Sequence, residues 1–247
     1  MADRNILFNG AMVAALLAGR KTQTRRLAMI TAVMGNKVAI CSPEESLIEL
    51  EPGEWKRGEF HYLSTGGLSG TYKTYASVGD RLYVCETHYR YGHWEPKGTA
   101  KTKGGKQKWH FVEDSPEVRF DAPADFRRGM HNADPYTPAW HKRLGRFMFK
   151  KHSRLTIEIT DVKLERLRDI GPNDAIAEGL QRLPATGRYV VKKGDQYLGL
   201  ASHNPCEVYS WLWDSINPNH TWEANPWVIA YTFVTINANI DQIEAAA

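Results

Sequence analysis

The chain has 247 residues, 42% of them hydrophobic and 24% charged, which is enough apolar material to bury a core in one large domain or two small ones. No apolar run approaches the roughly 18 residues of a helical membrane span, so a helical membrane protein is excluded. The net charge of +4 and pI of about 8.9 fit an anionic partner without establishing one.

Ile6-Leu7-Phe8 reads as a short strand closed by Asn9-Gly10. Ala11–Ala18 reads as a short helix that Gly19 stops. The basic stretch Arg20–Arg26 follows in an extended segment. Alternation there turns Thr22, Thr24 and Arg26 one way and Lys21, Gln23 and Arg25 the other, unless a bend over 19–22 brings Lys21 round. From Met29 to Tyr75, Val38-Ala39-Ile40, Leu47-Ile48 and the Gly/Ser/Thr-rich piece Ser64–Thr71 suggest short strands and loops. Gly79-Asp80 marks a turn into a strand, Arg81–Cys85.

Between Tyr89 and Lys151 the periodicity fails. Only Lys108–Val112 and Glu117–Phe120 look strand-like, and the region reads as an elaboration on a core, mobile around Lys97–Lys108. Order returns at Arg154–Asp161, where Leu155, Ile157 and Ile159 share one face and Thr156, Glu158 and Thr160 the other, with Val162 and Leu164 extending the apolar face. Pro172 opens a helix that Gly179 closes. Asn204 caps another running to about Ile216, with Val208, Trp211 and Leu212 at helical spacing. Asn225-Pro226 introduces a last strand, Trp227–Ile236, and the tail from Ala238 is frayed or weakly helical. Mixed elements with several short strands predict an α+β domain around a small barrel or curled sheet. It is read as a single domain over 1–238, with insertions at about 29–76 and 89–151 and a tail over 239–247.

Charge is clustered. Four of the seven residues from Arg20 to Arg26 are basic, five lysines lie between Lys97 and Lys108, and six basic residues lie between Lys142 and Arg154. The last two clusters contain no acid, and the three together point to a polyanion as readily as to solvated surface. Cys41, Cys85 and Cys206 show no CxxC spacing. A disulfide framework and a cysteine zinc site are therefore not expected, and a reducing, cytoplasmic setting without a signal peptide fits. The nine histidines show neither HxH nor HxxxH spacing, so no metal and no cofactor are expected.

A cation and hydroxyls this dense at a helix exit suit an anion or a polar heterocycle; a charged surface turn is the competing reading. The stretch Leu16–Arg26, LLAGRKTQTRR, resembles the signature of the ASCH family in the PUA-like superfamily. Val78–Thr87, Arg154–Leu180, Tyr209–Asn217 and Asn225–Ile236 resemble its later strands and helices, so the likeness covers roughly half the chain and is strongest to phage or prophage ASCH proteins. The resemblance implies a small PUA-like β-barrel with flanking helices and a cleft for RNA, DNA or a modified base. Some compact members are similar to N4-acetylcytidine amidohydrolases, which implies Lys21, Thr24 and Glu178 as catalytic residues here.

The chemistry suits those residue types. A threonine hydroxyl needs a base to take its proton. A lysine serves as that base if burial or the nearby Arg20, Arg25 and Arg26 lower its pKa. A protonated glutamate can then supply the leaving amine. Arg26 or backbone N–H groups around Thr22–Thr24 would meet an oxyanion. Glu178 also reads as a surface acid near a helix end. Arg20, Thr22, Arg25, Arg26, Glu86, His88 and Trp140 complete the expected binding set, the last as a stacking platform. The expected function is thus a nucleic-acid or nucleoside-binding ASCH domain hydrolysing an N4-acylated cytosine-type base. The rivals are a non-catalytic reader of modified bases or of single-stranded RNA or DNA, and a phage accessory or assembly protein.

Overall fold

A computed structural model describes residues 4–28, 38–41, 59–64 and 69–244. Leu47-Ile48, residues 65–68 of the Ser64–Thr71 piece and the last three alanines lie outside them. The fold is mixed α+β and mostly sheet, with short helices. Among the described residues the strands form open sheets, and no helix is long and apolar enough to cross a membrane. The chain divides into two compact units: residues 1–10, 83–156 and 238–247, and residues 11–82 and 157–237.

The second unit begins with helix α1 (Gly10–Leu17) and strand β2 (Gln23–Leu27). The α1 helix ends as its sequence demands, with Gly19 at φ 66°. A three-stranded antiparallel sheet follows, β3 (Val38–Cys41), β4 (Glu59–Ser64) and β5 (Ser69–Lys73). Strand β6 (Arg81–Cys85) begins at the Gly79 turn, where Gly79 takes φ 89° and Asp80 accepts from the Ser77 N–H at 2.8 Å.

Along strand β11 (Thr156–Arg166) Leu155, Ile157 and Ile159 are buried as read from sequence, but Thr156 on the opposite face is buried too, its hydroxyl donating to the Ala238 carbonyl at 2.9 Å. Beyond Asp161 the expectation changes. Val162 and Leu164 are only half-buried, and Glu165 is buried instead, in phase with Ile157 and Ile159. The buried face lapses at Asp161 and Lys163, which share its phase and are exposed, and resumes at Glu165.

Helix α2 (Pro172–Ala177) starts with proline at its first position, and Glu178 is its C-cap. A short hairpin, β12 (Gln181–Arg182) with β13 (Tyr189–Val190), leads to α3 (Pro205–Ile216). The Asn204 side chain accepts from the Cys206 N–H at 3.0 Å, the N-cap expected from sequence. Asn225 at φ 45° accepts from the Arg168 N–H and turns the chain into β14 (Trp227–Ile236). Strand β14 pairs antiparallel with β2 on one side and neighbours β11 on the other. The core of this unit joins Leu167, Ile170, Val208, Leu212, Trp213 and Val228.

The first unit sets β1 (Arg4–Leu7) beside the end of β6. Its principal sheet has the order β8-β7-β10-β9, from β7 (His88–Lys101), β8 (Gln107–Arg119), β9 (Phe126–Arg127) and β10 (Ala139–Arg143). Two strand-like pieces were expected here, yet β7 and β8 form one long hairpin that closes at Thr102–Lys106 with Gly105 at φ 77°. The reason is physical: towards the tip both faces of the hairpin are solvated, so no apolar alternation advertises it, and backbone ladder bonds hold it. The tail forms helix α4 (Ile240–Glu244), with Ile240 buried and the Asn239 amide donating to the Lys150 and Ser153 carbonyls.

Candidate functional site

The site lies in the second unit, where the end of α2 meets the strand leading into β2. Thr22 N–H donates to the Ala177 carbonyl at 2.9 Å, and Lys21 and Glu178 form an antiparallel β-bridge. Gly179 permits this approach. Its φ of 105° suits glycine, and a Cβ there would lie 2.9 Å from Ala15 Cβ and 3.1 Å from Lys21 Cβ. Gly179→Ala is accordingly expected to cost at least about 2 kcal/mol, from backbone strain and overpacking together. Urea denaturation checks this, and a variant within about 0.5 kcal/mol of the parent, the range of an uneventful surface change, would show that the approach is not tight.

Lys21 is fully buried. Its Nζ donates to Glu178 Oε2 at 2.8 Å, to the Glu178 carbonyl at 2.8 Å and to the Gln23 carbonyl at 2.9 Å. Among the described residues these three acceptors match the three hydrogens of an ammonium. Burial lowers the Lys21 pKa, opposed by Glu178 and reinforced by Arg26 and Arg25.

Arg25, 4% exposed, joins the same carboxylate. It donates Nη1–H to Glu178 Oε1 at 3.2 Å and to Gln23 Oε1 at 2.7 Å, and Nε–H to Glu165 Oε1 at 2.8 Å. Asp174 accepts from Arg25 Nη2 at 3.3 Å, and Lys163 lies 2.7 Å from Glu165 Oε2 at the rim. Burial acts to lower the Arg25 pKa, but Glu178 and Glu165 outweigh it and the net shift is upward. From α3, Tyr209 donates its hydroxyl to Glu178 Oε1 at 3.3 Å. Burial and then the neighbouring carboxylate raise this phenol well above its usual range.

Lys21, Gln23 and Arg25 thus meet around the Glu178 carboxylate, just after the chain turns at Gly19. Thr24 is buried and pairs with Tyr231 across the β2–β14 ladder. Alternation puts it on the face opposite Gln23 and Arg25, and no hydrogen bond to its hydroxyl is found among the described residues. Arg20 donates to the Gly179 carbonyl at 2.8 Å, Thr22 is exposed, and Arg26 is half-buried with its pKa lowered by burial against the pull of Glu178. Beside the pair is a small hollow whose lining includes Met12, Ala15, Glu178, Gly179, Leu180 and Leu212.

The other expected residues belong to the first unit. Glu86 accepts from Arg154 Nε and Nη2 at 2.9 and 3.0 Å, a bidentate pair. His88 is buried, and its Nδ1–H donates to the Glu86 carbonyl at 3.1 Å. Burial lowers its pKa against the pull of the Glu86 carbonyl, with Arg90 and Arg143 adding to the lowering. Trp140 packs edge-on to Tyr91 and carries the Arg119 guanidinium 4.3 Å from its ring centre. His152 is also buried. Burial and then the Arg90 charge push its pKa down to about 4.

Three members of the Glu178 network were absent from the sequence expectations. Glu165 had a legible signal, a carboxylate in phase with Ile157 and Ile159. Asp174 stood among the acids of the α2 first turn. Tyr209 had none, because a tyrosine one residue after Val208 on a helix reads as core. Among the described residues, no group of His, Cys, Asp and Glu is arranged to hold a metal ion. Comparison with protein-family models, with curated proteins and with solved structures finds no match to this chain.

Proposed function

We propose that the chain is an ASCH-type protein with a PUA-like core, and that its Lys21–Glu178 centre hydrolyses the amide of an N4-acylated cytosine-type base. One observation carries the reading: a lysine and a glutamate are held 2.8 Å apart with almost no solvent access, inside a set of partners that fixes both. Buried charges of this kind cost stability, and such arrangements concentrate where pKa values must be tuned. Moving one proton along that bond converts ammonium and carboxylate into amine and carboxylic acid. These are the base and the acid that amide cleavage needs together.

The amine takes the proton of the attacking hydroxyl or water. The acid protonates the departing exocyclic N4 amine of the base. Arg25 and Tyr209 orient the carboxyl group through Oε1. The nucleophilic role of Thr24 rests on the family resemblance alone. The second reading is a non-catalytic reader of a modified base at the same place. It is favoured by the Lys21 ammonium, whose three hydrogens are matched by three acceptors, the arrangement of a fixed charge rather than a base.

Chromatography decides between them. The purified chain is incubated with N4-acetylcytidine, its deoxy form and a short acetylated RNA, and cytidine-type product is sought. The hydrolase reading expects product from the parent and far less from Lys21→Arg. Product retained in Thr24→Ala would assign the nucleophile to water. No product from any of the three substrates would sink the hydrolase reading and leave the reader.

A further inference from the structure

The first unit carries a surface that the Lys21 centre does not use. Lys97, Lys101, Lys103, Lys106 and Lys108 all lie exposed on the β7–β8 hairpin, and none pairs with a carboxylate among the described residues. The nearest acid along β7, Glu95, is already shared by His93 at 3.2 Å and His110 at 3.9 Å. Five like charges on one narrow hairpin repel each other over distances comparable to the Debye length, and a polyanion relieves that repulsion.

Directly behind the tip, Trp109 follows Lys108 and stands opposite Pro96 in the ladder. It meets the Tyr136 ring edge-on at 5.9 Å, and Tyr136 is 60% exposed. An open aromatic pair bordered by unpaired lysines is the combination that takes a charged backbone and stacks unpaired bases. A duplex hides its base faces and offers the rings nothing to stack on. An anionic membrane fits less well, because the turn Thr102–Lys106 holds no apolar side chain to enter the lipid.

We propose that the β7–β8 hairpin tip, with Trp109 and Tyr136, binds single-stranded nucleic acid. For what happens to the strand once bound, the inference rests on the reading of the Lys21 centre: the base would be presented on a polymer rather than as a free nucleoside. For binding itself it stands on the first unit alone.

The test is fluorescence anisotropy of the full chain with a labelled 12-residue oligouridylate, over a salt series from about 50 to 200 mM, the range in which phosphate contacts are felt. Replacing the five lysines by glutamine is expected to weaken binding and to flatten the log–log salt slope by up to about 3.5, at roughly 0.7 per lost phosphate contact. Tyr136→Leu is expected to weaken binding about fivefold, the low end for one stacked base, with the salt slope unchanged. Three results would overturn the proposal: a duplex of the same length bound as tightly as the single strand, unchanged affinity and slope in the five-glutamine variant, or binding to phosphatidylserine vesicles without binding to the oligonucleotide. Binding is read without turnover. A chain that holds the strand but releases no product overturns the hydrolase reading and supports this one; turnover of the free nucleoside with no affinity for the strand does the reverse.

Discussion

Glu178→Ala is expected to lower folding stability by about 3–5 kcal/mol, the penalty for stranding a buried charge. Lys21 has no solvent to turn to, and among the described residues its other two side-chain acceptors are neutral carbonyls. Tyr209 loses its acceptor as well, whereas Arg25 keeps Glu165. The measurement is a urea denaturation midpoint at unchanged slope. Two comparisons make it specific. Replacing both Lys21 and Glu178 by methionine removes the charges together and should come closer to the parent than Glu178→Ala alone, because a buried pair exchanged for apolar volume is often neutral. The cost of Glu178→Ala should also shrink as pH rises, because an unpaired lysine whose pKa burial already lowers escapes the penalty by losing its proton. A cost under about 1 kcal/mol, no more than an exposed ion pair is worth, would mean that the pair is not the buried centre of this unit.

Lys21→Arg is expected to reduce turnover of an N4-acylated cytosine by about 10²–10⁴-fold, the usual contribution of one positioned base. Arginine keeps the charge and the donors but does not release its proton. The pH profile separates this from simple misplacement. The Lys21 pKa lies below its ordinary 10.5, lowered first by burial. The working pair carries one proton, on Glu178 when Lys21 is the amine, so the rate should hold below that lowered value and fall as pH rises through it, when the pair has lost the proton that the leaving amine needs. In the arginine variant, which keeps its proton over this range, this descending limb should vanish. The same shift affects stability with a definite sign. A lysine whose folded pKa is depressed contributes fully above its unfolded value of 10.5, and that contribution is lost as pH falls through the folded pKa. A rate that rises with pH through that value, or a limb that survives in Lys21→Arg, would remove Lys21 from the role of base.

The local elements of this protein were legible in its sequence because short-range chemistry specifies them. Asn204 sits where a helix needs a cap, Pro172 and Gly179 bracket α2, and Leu155, Ile157 and Ile159 announce a half-buried strand. Each signal involves residues within a few positions of one another. The β7–β8 hairpin escaped for the complementary reason: its tip is held by backbone bonds and wet on both faces, so its side chains carry no period. At the site, the family-like stretch singled out Lys21 and, further along, Glu178, but sequence alone could not bring them together.

Their meeting spans 157 residues. It depends on the Thr22 N–H reaching the Ala177 carbonyl, on Gly179 leaving room, and on α3 delivering Tyr209 to the far oxygen of the carboxylate. Glu165 shows the boundary between the two kinds of information. Its phase on β11 was fixed by strand geometry, yet only the packed structure decided that a buried arginine would stand opposite it. Composition and periodicity determine which faces are buried; which charges then neutralise one another is set by contacts between segments far apart in the chain.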